Sequence, residues 1–183
     1  DGSNVGMTNL VSNVGVVADD VAAVGTARHA PGACEYGNDK GIFAYGTTDS
    51  GVTAASNLVS NVGVVASDVT GVGTARYYIT ACSYGEDKGL FGYGTTGGGG
   101  SGAVSLTNKV SNVGVVADDT TGVGTARFYL ASCEYGQDKA IFGFGDTGSV
   151  LDETNLVSNT GVVASDTTGV GTDRKQLAAC SFN

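Results

Sequence analysis

Apolar and polar residues alternate along this chain in short runs, and nowhere do they recur with the period of a helix. In residues 57–61, Asn-Leu-Val-Ser-Asn, the alternation ends just before Gly63, which predicts a short strand followed by a turn. Residues 63–67 are β-branched and again few. Asp68, Thr70, Gly71 and Gly73 then come in turn-forming order, because an Asx side chain can bond its own backbone two residues on. From Arg76 to Tyr84 runs a longer β-prone stretch. Gly85, Glu86, Asp87 and Lys88 form a hairpin signal, and Leu90 to Tyr93 return as a strand. The unit predicted is four short antiparallel strands.

The same order recurs. Residues 9–46 return as 57–94 and 108–145, and a further copy starts at Asn155. One Arg per copy stands at 28, 76, 127 and 174, and one Cys at 34, 82, 133 and 180, so both series step by 48, 51 and 47. Every change of length therefore lies in the joints 47–56, 95–107 and 146–154. A fixed core with one elastic joint marks a supersecondary unit whose copies pack on one another. The copies run approximately over 8–55, 56–106, 107–153 and 154–183, in a single repeat domain covering residues 1–183.

The returning strand has two unequal faces. Phe43 and Tyr45, Phe91 and Tyr93, and Phe142 and Phe144 give a bulky face; Ile42 and Ala44, Leu90 and Gly92, and Ile141 and Gly143 give one that becomes small. A strand exposed on one side would read polar there, so both sides are expected to be packed, aromatic against a neighbour's small residues. That favours stacked blades over a sandwich. The expected fold is all-β, a small β-propeller of about four blades, each of four short antiparallel strands.

A resemblance points the same way. The order Arg-x-x-x-x-(Ala/Ser)-Cys, an Asp-Lys turn, (Ile/Leu)-Phe-(Ala/Gly)-(Tyr/Phe)-Gly and a Val-rich strand with Asp resembles a degenerate Kelch-type β-propeller repeat. The chain departs from that pattern: Gly46, Gly94 and Gly145 are single rather than doubled, and Trp is absent. Over nearly its whole length the chain also resembles tandem repeat arrays of tail-fibre-like proteins of environmental phages and of bacterial surface proteins. These likenesses imply a propeller without catalytic residues, in a virion or cell-surface setting.

Four Arg-to-Cys strands face only three Phe-rich returning strands, because the fourth copy stops at Asn183. Written end to start, residues 181–183 followed by 1–7 fall in the register of the missing strand. Residues 1–7 are thus expected to complete the last blade, which would remove two sheet edges. The rival is pairing between protomers, which gives fibres.

Composition narrows function. A formal charge of −9 and a pI near 4.3 leave no basic patch for a phosphate backbone, so nucleic acid is not expected as a partner. No apolar run reaches the ~20 residues of a spanning helix, so no membrane insertion is expected. The chain opens on Asp1 without Met or a signal-like stretch, as a processed protein or an excerpt of a longer one would. A surface rich in Thr, Ser, Gly and Asn and poor in Lys suggests an extracellular or virion-surface location.

The repeated chemistry reads as structural. Cys34, Cys82, Cys133 and Cys180 lack the close spacing of zinc ligands, and equivalent positions on neighbouring blades suit packing better than disulfides. Arg28, Arg76, Arg127 and Arg174 at strand starts suggest guanidinium groups bonded to carbonyls or to a neighbour's Asp; an anion-binding ring is the alternative. Asp19, Asp20, Asp68, Asp118, Asp119 and Asp166 lack the density of a calcium loop. His29, the only His, occurs in one copy, so no repeated acid–base site uses it. No metal, cofactor or catalytic centre is expected, and the protein is read as not an enzyme. Ligand contacts are expected in the joints, at Thr47, Thr48, Asp49, Thr95, Thr96, Ser101, Asp146, Thr147 and Asp152, with a receptor or glycan as partner. Self-assembly through the terminal strands is the alternative.

Overall fold

The computed structural model describes residues 3–97 and 99–181, and among them there is no α-helix. The chain forms β1 (Gly32–Tyr36), β2 (Lys40–Ala44), β3 (Thr47–Thr48), β4 (Gly51–Val52), β5 (Ser56–Val59), β6 (Thr80–Tyr84) and β7 (Lys88–Gly92). It continues through a 3₁₀ turn (Gly99–Gly102) to β8 (Thr107–Val110), β9 (Ala131–Tyr135), β10 (Lys139–Asp146) and β11 (Val150–Val157). The protein is all-β. Three antiparallel sheets, β1-β2-β5, β6-β7-β8 and β9-β10-β11, share one topology, and β3 and β4 make a small two-stranded ribbon.

The register is the same in each sheet. Cys34 faces Ile42, Cys82 faces Leu90 and Cys133 faces Ile141; on the other side of the central strand Phe43 faces Asn57, Phe91 faces Asn108 and Phe142 faces Asn155. Each sheet therefore takes its third strand from the next sequence copy. The expected fourth strand is present only as isolated bridges: Val59 with Val65 and Ser56 with Val69 in the first sheet, with equivalents in the other two. Val62 and Val64 are exposed, and a full ladder does not form.

The sheets stack through their first strands. The Thr80 hydroxyl lies 2.6 Å from that of Ser132, which also donates to the Ala81 carbonyl. Two apolar clusters fill the spaces between sheets. The first sets Phe91 against Ile42, Ala44, Tyr45 and Ile79; the second sets Phe142 against Leu90, Tyr93 and Leu130. The rings of Tyr45 and Phe91 meet edge-on at 5.4 Å and 68°, and those of Tyr93 and Phe142 at 5.2 Å and 68°. Aromatic rings thus pack beside small residues of the preceding central strand, as at Gly92 beneath Phe142.

Half-units flank the three sheets. Residues 8–21 form a hairpin bridged at Thr8 with Val21 and Val11 with Val17, and residues 174–181 carry no strand. Residues 3–7 do not take the place of the missing returning strand. Gly6 packs on Ala23 as Ala54 packs on Gly71, 48 residues on in both members, so residues 5–7 are the tail of a joint. Register explains the difference: the landmark Asn9 already fixes what precedes it. The rest of the expected closure falls on residues 1–2 and 182–183, outside the described residues.

Candidate functional site

The repeated Arg is enclosed. Arg76 donates from Nε to the Tyr93 carbonyl at 2.8 Å, from Nη1 to the Thr74 carbonyl at 3.0 Å, and from Nη2 to Asn108 Oδ1 at 2.6 Å. Arg127 repeats this on Phe144, Thr125 and Asn155 at 2.8, 3.0 and 2.6 Å. Each guanidinium also covers a ring of the preceding sheet, Tyr45 at 4.3 Å and Tyr93 at 4.6 Å. Burial lowers the Arg76 pKa from its ordinary value, and pushes the Tyr45 and Tyr93 hydroxyls up to about 12. Both guanidinium groups bond backbone and neighbouring side chains, and both are fully buried.

The repeated Asp completes the clamp. Asp119 accepts the Thr74 amide at 3.0 Å, its hydroxyl at 2.6 Å and the Asn108 amide at 2.9 Å, and lies 3.8 Å from Arg76. Asp68 and Asp166 do the same with Thr26 and Thr125. Burial raises these carboxyls, but the Thr, Asn and Arg partners outweigh it and hold all three below the ordinary carboxylate range. Gly73, at φ +75°, sits so close that an added methyl would overlap Asp119. The Asp-Lys hairpin tips join neighbouring units too: Asn112 donates to Asp87 at 3.0 Å and the Gly37 amide to the Asp87 carbonyl at 2.7 Å.

The four thiols are free and share one cleft of ≈ 400 Å³ along the row of first strands. They differ in depth. Cys82 is buried, Cys34 and Cys133 are half-buried and Cys180 is exposed, so packing as a core residue describes Cys82 alone. Burial raises the Cys34 thiol to about 12 and raises Cys82 and Cys133 as well. Among the described residues no group of His, Cys, Asp or Glu is arranged to hold a metal ion.

The joints meet the residues that follow each Arg. Thr47 bridges His29, Thr95 bridges Tyr77 and Asp146 bridges Phe128. Just beyond, Ala30, Tyr78, Tyr129 and Gln176 all adopt φ between +52° and +59°, and each backbone amide donates to the carbonyl of the one before it, at 3.2, 3.3 and 3.0 Å. This ladder aligns the aromatic side chains of the inner units. The rings of Tyr78 and Tyr129 lie 4.1 Å apart, with Tyr77 and Phe128 against them. Burial raises the Tyr129 hydroxyl to about 12, with Tyr78 and Tyr77 adding to the effect. Lys175 reaches over the same ring at 5.9 Å.

Several predicted contact residues are engaged rather than displayed. Thr95 and Asp146 are buried, because each pairs into the Arg strand. Asp146 is held by Lys175, whose hydrogen bond, with that of the Gly148 amide, keeps its carboxyl below the ordinary range. Asp152 is half-buried against Gly169, and Thr47 is half-buried in β3. Asp49, Thr96 and Ser101 are exposed; Thr48 and Thr147 are half-exposed at loop tips, and Asp49 accepts the Asn4 amide at 2.6 Å. The aromatic ladder was absent from the expected contacts. A signal for it does exist: the three residues after Arg read His-Ala-Pro, Tyr-Tyr-Ile, Phe-Tyr-Leu and Lys-Gln-Leu, the most variable stretch inside the fixed core.

No protein-family model matches this chain, and no curated protein is significantly similar to it.

Proposed function

We propose that the protein is a non-enzymatic recognition module of a virion fibre or cell surface, which binds a receptor glycan at the joint end of a small propeller-like ring. One observation carries the reading. The two variable parts of the repeat, the joints and the residues after Arg, pair with each other in three successive units, while the Arg-Asn-Asp clamp stays fixed beside them. Half-buried Tyr rings and loop-tip hydroxyls suit sugar rings, which present apolar faces rimmed by hydroxyls.

A glycan array tests the proposal. The protein is expected to bind at least one glycan class, and Tyr78→Ala combined with Tyr129→Ala is expected to abolish binding while the Arg clamps keep the fold. Replacing only the joint segments 48–51, 96–101 and 147–149 with Gly-Ser segments should weaken binding and leave Thr95 and Asp146 in place. No binding across the array, or binding that survives both changes, refutes the reading.

A further inference from the structure

At the C-terminal end of the stack lies an apolar recess of ≈ 140 Å³, lined by Cys133, Ile141, Gly143, Phe144, Leu177 and Ala179. Each lining residue has counterparts one and two units earlier. Ile141, Gly143, Phe144 and Leu177 correspond to Leu90, Gly92, Tyr93 and Leu130, and to Ile42, Ala44, Tyr45 and Ile79. In both earlier units that recess is filled by one phenyl ring of the following returning strand, Phe142 or Phe91. Both rings are fully buried and meet the Tyr edge-on. At the last unit, among the described residues, no ring meets Phe144 in that way. Phe144 carries only the Arg174 guanidinium, at 3.7 Å.

A second feature lies beside the recess. Residues 178–181 correspond to Thr80–Ser83 of β6 and Ala131–Glu134 of β9, each of which pairs along one edge with a returning strand. Residues 178–181 have no such partner among the described residues and are exposed. The opposite end of the stack shows the complement. Phe43, the counterpart of Phe91 and Phe142, has no sheet before it and stays 36% exposed, whereas the other two are at 0%.

We infer that this end of the protein is a strand-acceptor site for the returning strand of another unit of the same repeat. The incoming segment has the pattern (Ile/Leu)-Phe-(Gly/Ala)-(Tyr/Phe)-Gly. Its backbone pairs with residues 178–181 and its Phe enters the recess against Phe144. Backbone pairing supplies affinity and the side-chain seat supplies specificity, as in other strand additions. The volume agrees with the occupant: apolar cavities of about 150 Å³ take up benzene. The site is separate from the joint end and does not depend on a glycan being bound there.

The test uses the intact protein and a fluorescent peptide with the sequence of residues 136–146, Gly-Gln-Asp-Lys-Ala-Ile-Phe-Gly-Phe-Gly-Asp. Saturable binding is expected, weakened at least tenfold when the peptide's Ile-Phe is changed to Ile-Ala, with hydrogen-exchange protection appearing at residues 178–181. Gly143→Leu should fill the recess and abolish binding. The fold should tolerate it, since the nearest atom to an added Cβ is Thr154 Cγ2 at 3.5 Å. Leu177→Asp, in a segment outside the sheets, is the second blocking variant and should act alike. Equal binding of the two peptides, binding that survives both variants, protection elsewhere on the chain, or no binding because the chain's own terminus fills the recess would each overturn the inference.

Discussion

Replacing the repeated Arg with Met, one unit at a time, separates a clamp inside the stack from a residue that is merely repeated. Met keeps most of the aliphatic volume and removes every donor. At Arg76 the change strands the carbonyls of Tyr93 and Thr74 and leaves Asn108 Oδ1 without its partner, all beneath a fully buried side chain. Each orphaned acceptor costs about 1–3 kcal/mol, though such losses do not add fully, and Asp119 remains 3.8 Å away without its countercharge. Removing one member of a buried pair typically costs ~3–5 kcal/mol, which we take as the total. For a chain of this size that corresponds to a fall in Tm of roughly 6–20 °C. Arg127 should behave like Arg76. Arg28 keeps its bond to Asn57 at 2.5 Å, but its bond to the Thr26 carbonyl lengthens to 3.5 Å, so its loss should be smaller. Arg174 is exposed, with one bond to the Thr172 carbonyl at 3.2 Å and a stack on Phe144, together about 0.5–1 kcal/mol.

The expected order of destabilisation is therefore Arg76 and Arg127, then Arg28, then Arg174. Urea unfolding followed by circular dichroism gives the totals. Stacked units can unfold piecemeal, so hydrogen exchange should place the loss from Arg76→Met in β6, β7 and β8. Four equal losses, or less than ~1 kcal/mol at Arg76, would mean that the buried geometry does not set the energetics.

Other outcomes follow from the same packing. Asp68, Asp119 and Asp166 have folded pKa values below the ordinary range, so their stabilisation is present above the unfolded value near ~3.9 and is lost as pH falls through the lower folded value. Tm should drop between pH 6 and pH 3, and Asp119→Asn should lower it at pH 6 while shrinking that drop; an unchanged drop refutes the assignment. Phe91→Ala and Phe142→Ala should each cost about 3–5 kcal/mol and Phe43→Ala well under half of that, measured by urea unfolding, because only the first two fill a seat. Alkylation of the native protein should label Cys180 first and Cys82 last, and intact mass without reductant should show four free thiols.

Much of the fold could be read from the sequence because the repeat carries its own register. Equal steps between Asn, Arg and Cys fix which residues face one another, and the three sheets keep that pairing. The fourth strand could not be read in the same way. Residues 62–69 look like strand residues, but only Val65 and Val69 pair, at isolated bridges, while Val62 and Val64 stay exposed. The joints were located correctly as the elastic segments, yet three different solutions close them: a β3-β4 ribbon, a 3₁₀ turn, and a direct hairpin between β10 and β11. Gly-rich length differences reveal only that such solutions exist.

What the sequence withheld most was depth, since identical residues occupy unlike environments. The four Cys stand at one repeat position, but Cys82 has a first strand on both sides while Cys180 closes the row, and so one is buried and the other exposed. Phe43 and Phe91 differ for the same reason, as do Arg76 and Arg174. Position in the stack, set by how many neighbours a unit has, decides whether a side chain is core or surface. Within the described stack, burial of a repeated residue thus follows from what packs beside its unit and not from the local pattern alone. Among the described residues, the recess beside Leu177 and the exposed Phe43 match the two sides of a contact that the interior completes twice.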